Sequence, residues 1–220
     1  MILLSLLLIP LFGILLIAPS YRSYDLLSIN NFGNTNNSNK EVDPDTKLKV
    51  IALAISIIAF LYSLSLLLLF DPSTPEYQFT FNFNNKDLSI FTSDFQIGID
   101  GISIYFVILT TFLFPISFLA SWNITSATSL GGNKYNVKFY LCTLLLLEIL
   151  LILVFIVTDI LLFYIFFESV LIPLFLIVGI WGGSPNRVRA AFLLFLFTLI
   201  GSLFMLLSIL AIYYNVGSTD

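Results

Sequence analysis

Residues 139–181 read FYLCTLLLLEILLILVFIVTDILLFYIFFESVLIPLFLIVGIW. These 43 residues contain three acidic side chains, Glu148, Asp159 and Glu168, and no lysine or arginine. A helix that crosses the hydrocarbon core of a bilayer needs about 20 mostly apolar residues. The stretch is long enough for two such helices with a short turn at Asp159 between them. It therefore predicts a helical hairpin inside a membrane.

The same pattern continues through the chain. Hydrophobic residues make up 59% of the 220 positions and charged residues 10%, and the mean hydropathy is +1.03. Soluble domains carry about 25% charged residues, so a soluble fold is excluded. A transmembrane barrel would show short alternating segments, which this chain lacks. We predict an all-α, polytopic bundle in a single membrane domain (1–220), with six spanning helices at 1–18, 50–70, 102–122, 139–157, 161–181 and 190–213.

Two polar loops separate the first three helices, at 19–49 and 71–101. The segment 1–18 lacks the basic start of a signal peptide, since the first cation is Arg22, and we expect a retained helix there. In the second loop, YQFTFNF at 77–83 alternates aromatic and polar residues. This alternation predicts a short strand, paired in a hairpin with residues 88–91.

The basic residues divide unequally between the two sides that six helices define. One side receives eight of them and the other receives Lys86 alone. The eight are Arg22, Lys40, Lys47, Lys49, Lys134, Lys138, Arg187 and Arg189. Since cations favour the cytoplasmic or matrix side, both termini are predicted to lie on the opposite side.

The chain has no histidine and one cysteine, Cys142. These residues are the usual ligands of zinc, haem and iron–sulfur centres, so we expect no cofactor and no metal site in this chain. The net charge of −4 also argues against nucleic-acid binding, which needs clustered cations.

Glu148 and Glu168 are the two ionisable residues deep inside the apolar segments. A carboxyl group near the centre of a bilayer is costly and usually faces protein or water on an ion path. The two residues lie 11 residues before and nine after Asp159, which predicts similar depths on adjacent antiparallel helices. If they share a face, they form a proton relay. The alternative is that one or both are protonated acids that only hold helices together by hydrogen bonds.

Pro173 lies five residues after Glu168 and has no N–H to give to the carbonyl of Ser169. A free carbonyl beside a buried acid can hold water. The alternative is a proline that serves packing and bending alone, as is common in membrane helices.

Three segments resemble a known family. FYIFFESVLIPLFLIVGIWG (163–182), GIDGISIYFVILTTFLFPISFLASW (98–122) and RVRAAFLLFLFTLIGSLFMLLSI (187–209) are similar to helices five, three and six of subunit 4 of proton-pumping NADH:ubiquinone oxidoreductase, respiratory complex I. The resemblance covers about the second half of the chain. It implies a membrane-arm subunit without a redox centre of its own, which helps to translocate protons while electrons pass from NADH to ubiquinone.

The resemblance also assigns residues. Glu168 matches the fifth-helix glutamate, which belongs to the proton channel of the family. Glu148 matches no position known to be a fixed glutamate, so its role as a relay rests on its depth alone. Family members pair the fifth-helix glutamate with a lysine on a seventh helix, and here no lysine follows Lys138.

Subunit 4 chains are about twice as long, so the resemblance implies either a subunit made as two pieces or a fragment. We expect a second chain that supplies the lysine-bearing helix, besides other membrane-arm subunits and lipids. Abundant Phe, Leu, Ile, Asn and Tyr favour a mitochondrial inner membrane. Two other functions stay open: a structural subunit without pumping, and an antiporter-like subunit of a related hydrogenase or sodium/proton antiporter complex.

Overall fold

The structure is a computed structural model that describes residues 2–18, 44–74, 76–83, 95–122 and 137–217. Six helices and two strands occupy these ranges. In chain order they are α1 (Ile2–Ile17), α2 (Pro44–Leu69), β1 (Gln78–Phe83), β2 (Phe95–Ile99), α3 (Ser103–Ala120), α4 (Val137–Ile156), α5 (Ile160–Trp181) and α6 (Arg187–Val216).

The helical membrane fold is confirmed. Five helices, α2 to α6, are long and apolar enough to cross a bilayer. The first helix, α1, is apolar but has 16 residues, and at about 1.5 Å per residue it is shorter than a full crossing. The helix α2 begins six residues before its predicted start at 50, since its first turns carry Asp45, Lys47 and Lys49. Charge at a helix end marks the water boundary rather than the end of the helix.

The first four helices form one bundle, and α5 and α6 extend from it. The helix α4 packs against α1, α2, α3 and α5, whereas α6 packs chiefly against α5. Burial follows this arrangement. In the most apolar 18-residue stretch of each helix, 50% is buried in α4, but only 11% in α5 and in α6. One long face of the α5–α6 pair is therefore open to lipid or to another protein.

The bundle contains two separate apolar clusters. The hairpin-side cluster lies at the end of the bundle where β1 and β2 pack, and its buried members are Leu3, Leu6, Leu66, Ile97, Ile99, Ile104, Val107, Ile152 and Ile156. The far-side cluster lies at the other end, and its buried members are Ile17, Leu48, Ala52, Ile55, Phe114, Phe118, Tyr140, Leu141, Leu144, Leu145 and Trp181.

The strands β1 and β2 form an antiparallel hairpin, with Phe81 opposite Ile97. Ile97 also bridges Val157, and the Thr158 hydroxyl donates to the Gln96 carbonyl at 3.2 Å, so the hairpin covers the α4–α5 turn. The first strand lies within the predicted range 77–83. The partner strand predicted at 88–91 falls outside the described residues, and the strand that pairs with β1 is FQIGI at 95–99. Three consecutive residues of this strand, Ile97–Ile99, are buried, so buried and exposed positions do not alternate along it, because both of its faces are covered.

Candidate functional site

Glu168 lies on α5, eight residues after the helix begins at Ile160. At about 1.5 Å per residue this places it about 12 Å along the helix, near its middle. The start of α5 is fixed by Asp159, whose Oδ1 accepts a hydrogen bond from the Leu161 N–H at 2.8 Å. Glu168 is half-buried, and its Oε2 is buried without a hydrogen-bond partner in the part of the chain that the structure describes. The oxygen is therefore free to bind a proton or a donor from elsewhere.

Pro173 lies inside α5 and is buried. It has no N–H, so the Ser169 carbonyl next to Glu168 loses its partner four residues along the helix. The Ser169 hydroxyl turns the other way and donates to the Ile165 carbonyl at 2.7 Å. The acid and a free carbonyl therefore occupy neighbouring positions of one helix.

Two contacts fix the register between α5 and α6. A Cβ atom at Gly179 would lie 3.6 Å from the Ala191 Cβ, and the rings of Phe175 and Phe195 are 5.7 Å apart. Because the helices are antiparallel, the residue seven positions before Phe175 on α5 is level with the residue seven positions after Phe195 on α6. Glu168 is therefore level with Ser202.

Ser202 also lies on the face of α6 that α5 covers. Its exposed fraction is 3%, and its hydroxyl donates to the Leu199 carbonyl of its own helix at 2.9 Å. The Ser202 oxygen keeps its lone pairs for another donor. No motif in the sequence marks this residue, and the signal that identifies it is the contact register.

Glu148 lies eight residues before the end of α4 at Ile156, so the two glutamates have the predicted equal depth. Their surroundings differ. The exposed fraction of Glu148 is 0%, and neither of its oxygens has a hydrogen-bond partner among the described residues. The structure therefore brings the two acids to one depth without joining them by a hydrogen bond.

Asp159 is a further buried acid that the sequence marked only as a turn. Its exposed fraction is 0%, and its Oδ2 has no partner among the residues described, while Oδ1 caps α5. Within the same ranges no three His, Cys, Asp or Glu side chains form a group that could hold a metal ion.

Two family models match the chain and together cover most of it. The model described as NADH-ubiquinone oxidoreductase chain 4, amino terminus, matches residues 46–154. The model described as NADH:quinone oxidoreductase/Mrp antiporter, TM, matches residues 157–220, which include Glu168 and Ser202. The chain belongs to the NADH-ubiquinone oxidoreductase chain 4 family.

Relatives named chain 4 are similar over two thirds of this chain. The protein of Mycosarcoma maydis is 62% identical over 150 residues, and that of Arabidopsis thaliana is 48% identical over 150 residues. In both cases the match covers 68% of this chain and 28% of the relative. The chain thus matches a little over a quarter of the length of these chain 4 relatives.

A solved structure shows the same arrangement of helices. The structure titled respiratory complex I from Thermus thermophilus with bound NADH contains a chain with a TM-score of 0.66 and 25% identity. The similarity covers all of this chain and 37% of that one.

Proposed function

We propose that this chain is a part of a membrane-arm subunit of NADH:ubiquinone oxidoreductase and contributes to proton translocation coupled to electron transfer from NADH to ubiquinone. The observation that carries the proposal is Glu168, a half-buried acid at mid-depth of a spanning helix, with an unpartnered Oε2 and the free Ser169 carbonyl beside it. The names of the relatives support the assignment to this complex, and Glu168 supports a role of this chain in proton transfer within it.

The proposed chemistry is proton binding and release at Glu168. In an apolar environment the neutral acid is favoured, and a cation that approaches favours the carboxylate. Movement of a cation towards or away from Oε2 would therefore release or load the proton. No redox centre is needed in the chain, and none is proposed.

The cationic partner is proposed to come from another polypeptide. Arg189 is the cation nearest to Glu168 along the α5–α6 pair in the described residues, and the register places it about 13 residues away in height, or roughly 20 Å. The open face of the pair supports an additional neighbour, since Phe197 and Phe204 are 72% and 67% exposed. Other membrane-arm subunits, a second chain that carries a lysine-bearing helix, and lipid are the proposed contacts.

The proposed location is the mitochondrial inner membrane, with both termini on the intermembrane-space side. Among the described cations, Lys47, Lys49, Lys138, Arg187 and Arg189 lie at the helix ends opposite the β hairpin. The positive-inside rule puts that end in the matrix. The eukaryotic relatives support the mitochondrion over a bacterial membrane.

The test is Glu168→Gln in the purified complex that contains this chain, reconstituted in vesicles. Gln keeps the size and the hydrogen bonds but cannot titrate, so proton pumping should fall by about tenfold or more, as for loss of a positioned acid–base group. The matched control is Glu76→Gln, at an exposed position outside the helices, which should pump normally. Pumping at the wild-type rate by Glu168→Gln, with normal assembly, would leave Glu168 a packing residue and favour a purely structural subunit.

A second function is favoured by the family description that includes Mrp antiporters. An antiporter-like subunit of a related complex would use the same helices with other partners. Purification separates the two: a complex that reduces ubiquinone with NADH supports the first function, and sodium/proton exchange without quinone reduction supports the second.

A further inference from the structure

A layer of polar side chains crosses the centre of the α1–α4 bundle, between the two apolar clusters. On α3, for example, Thr110 and Thr111 lie between Val107 of the hairpin-side cluster and Phe114 of the far-side cluster. All members of this polar layer are buried, and they are Ser56, Ser63, Thr110, Thr111 and Glu148. Glu148 is its one ionisable member.

The register between α1 and α4 places a proline beside this layer. A Cβ atom at Gly13 would lie 3.2 Å from Leu145 Cδ1, and the two helices are antiparallel. Three residues on from Leu145 is Glu148, and three residues back from Gly13 is Pro10, which is also buried. Since Pro10 has no N–H, the carbonyl of Leu6 lacks its helical hydrogen bond. A carbonyl without its helical partner therefore lies about one turn from the level of Glu148.

A second proline has the same effect on α3. The rings of Phe106 and Phe155 stack at 5.2 Å, which sets the register of α3 against α4. Seven residues back from Phe155 is Glu148, and seven on from Phe106 is position 113, between Thr111 and Pro115. Pro115 lies inside α3 and leaves the Thr111 carbonyl without its helical partner. Two free carbonyls and the Ser63–Thr111 hydroxyl pair thus lie within about a turn of the Glu148 level.

At the level of Glu148, the described parts of the helices that pack against α4 carry no cation. The helix α1 has no ionisable side chain, and α3 has no acid or base besides the phenol of Tyr105. Ile55 of α2 and Leu145 of α4 both lie against Gly13, so these two residues are at one level. Because α2 and α4 run parallel, position 58 of α2 is level with Glu148, and Lys49 lies nine residues from that level. On α5 the charged group is Glu168, an acid. The other charged groups on α2 and α4 are Asp45, Lys47 and Lys138, which lie ten or more residues from the level of Glu148. The remaining titratable groups on these helices are Tyr62, Tyr140, Cys142 and Tyr164, and none of these four is positive in either form.

A fully buried carboxylate without a partner is unfavourable because the interior does not replace its solvation by water, and such groups take a proton instead. We infer that the α1–α4 bundle holds a proton-binding site of its own, in which the buried Glu148 carboxyl carries a proton, and the carbonyls left without a helical partner by Pro10 and Pro115 are the proposed acceptors for its O–H. Loading forms the O–H bond and changes the charge of the group from −1 to 0. Unloading passes the proton to water that reaches the layer. This site is separate from Glu168, and only its coupling to turnover rests on the proposed function.

The test is infrared spectroscopy of the purified complex that contains this chain, near neutral pH in H₂O and D₂O. The wild-type minus Glu148→Gln difference should contain the C=O stretch of a protonated carboxylic acid, and this band should shift in D₂O because the proton exchanges. Glu76→Gln, at an exposed loop acid, should give a difference without such a band. A Glu148→Gln difference with carboxylate bands alone would overturn the inference, and so would an acid band that never shifts in D₂O.

A second variant keeps the test independent of folding defects in Glu148→Gln. Pro10→Ala restores the N–H that satisfies the Leu6 carbonyl, so one acceptor near Glu148 is lost and the acid band should move to higher frequency. Pro173→Ala is the matched control, because it changes a buried proline on α5 outside the α1–α4 bundle. An equal frequency in all three proteins would contradict the assignment of this carbonyl to the site. Normal pumping by Glu168→Gln with the Glu148 band present would refute the proposed function and leave this inference standing.

Discussion

The Ser63 hydroxyl on α2 and the Thr111 hydroxyl on α3 are joined by a hydrogen bond of 2.8 Å, and both residues are fully buried. Each hydroxyl oxygen also lies within reach of a carbonyl of its own helix, Ser63 at 2.7 Å from the Phe60 oxygen and Thr111 at 3.0 Å from the Val107 oxygen. Since each hydroxyl has one proton, one of the two donates to the other, and the accepting hydroxyl donates to its own helix. The pair is thus a polar link between two spanning helices in the centre of the bundle.

The link should contribute a measurable but small coupling to stability. In the double-mutant cycle of Ser63→Ala and Thr111→Val, we expect a coupling free energy of about 0.6 kcal/mol, and at most about 1.7 kcal/mol, as for interhelical hydrogen bonds in a membrane. The measurement is reversible unfolding in mixed micelles. The control cycle uses Ser117→Ala and Ser208→Ala, whose exposed hydroxyls donate to carbonyls of their own helices. A coupling equal to that of the control would show that the link adds nothing.

The α5–α6 turn makes a second, steric prediction. A Cβ atom at Gly182 would collide with the Val178 carbonyl and lie 3.0 Å from the Arg187 Cβ, whereas a Cβ atom at Gly183 meets nothing within 4 Å. Gly182→Ala should therefore destabilise the turn by roughly 1–3 kcal/mol, the usual cost of overpacking. Gly183→Ala should be nearly neutral. The measurement is the thermal midpoint of the two variants in the same detergent, and equal midpoints would contradict the close approach at Gly182.

The helices could be predicted from the sequence because bilayer thickness imposes a length on apolar runs. The bounds of α4 and α5 lie within two residues of the prediction, since Asp159 ends one apolar run and caps the next helix. The strand β2 was missed because pairing with β1 and burial beneath Val157 decide it, and neither is local in sequence.

The candidate site was predictable in part for a related reason. The depth of Glu148 and Glu168 follows from counting residues from Asp159, and the structure has both eight residues from the ends of their helices. Which face each acid occupies depends on helix packing. The sequence therefore did not separate Glu148, inside the four-helix bundle, from Glu168, on the α5–α6 pair, and did not place Ser202 opposite Glu168.

The orientation of the chain can be tested by labelling from one side of a sealed membrane. Glu76 and Ser184 are both exposed, and they lie in segments at opposite ends of the helices. In a Cys142→Ser background, Glu76→Cys and Ser184→Cys should react with an impermeant maleimide from opposite sides. With the positive end in the matrix, intact mitoplasts should be labelled at position 76 only. Labelling at position 184 in sealed mitoplasts would reverse the proposed orientation.

The last prediction concerns Ser202, the α6 residue level with Glu168. Its oxygen can accept a hydrogen bond from the neutral acid, and its O–H can leave the Leu199 carbonyl and donate to the carboxylate, so we expect the hydroxyl to serve both states of Glu168. Ser202→Ala removes one such hydrogen bond, which is worth about 0.5–1.5 kcal/mol net, and proton pumping should fall by about two- to tenfold. That loss is smaller than the one expected for Glu168→Gln, because the titrating group remains.

Two further variants separate a hydrogen-bonding role of Ser202 from a merely structural one. Ser202→Thr keeps the hydroxyl and should restore most of the pumping if the hydrogen bond is the reason for the loss. Ser208→Ala removes an exposed hydroxyl about one and two-thirds turns further along α6, which donates to the Phe204 carbonyl at 3.1 Å, and this variant should pump as the wild type. The measurement is pumping per electron pair in reconstituted vesicles, with the pH profile recorded for each variant. If Ser202→Ala matches Ser208→Ala in rate and in pH profile, Ser202 does not act on Glu168.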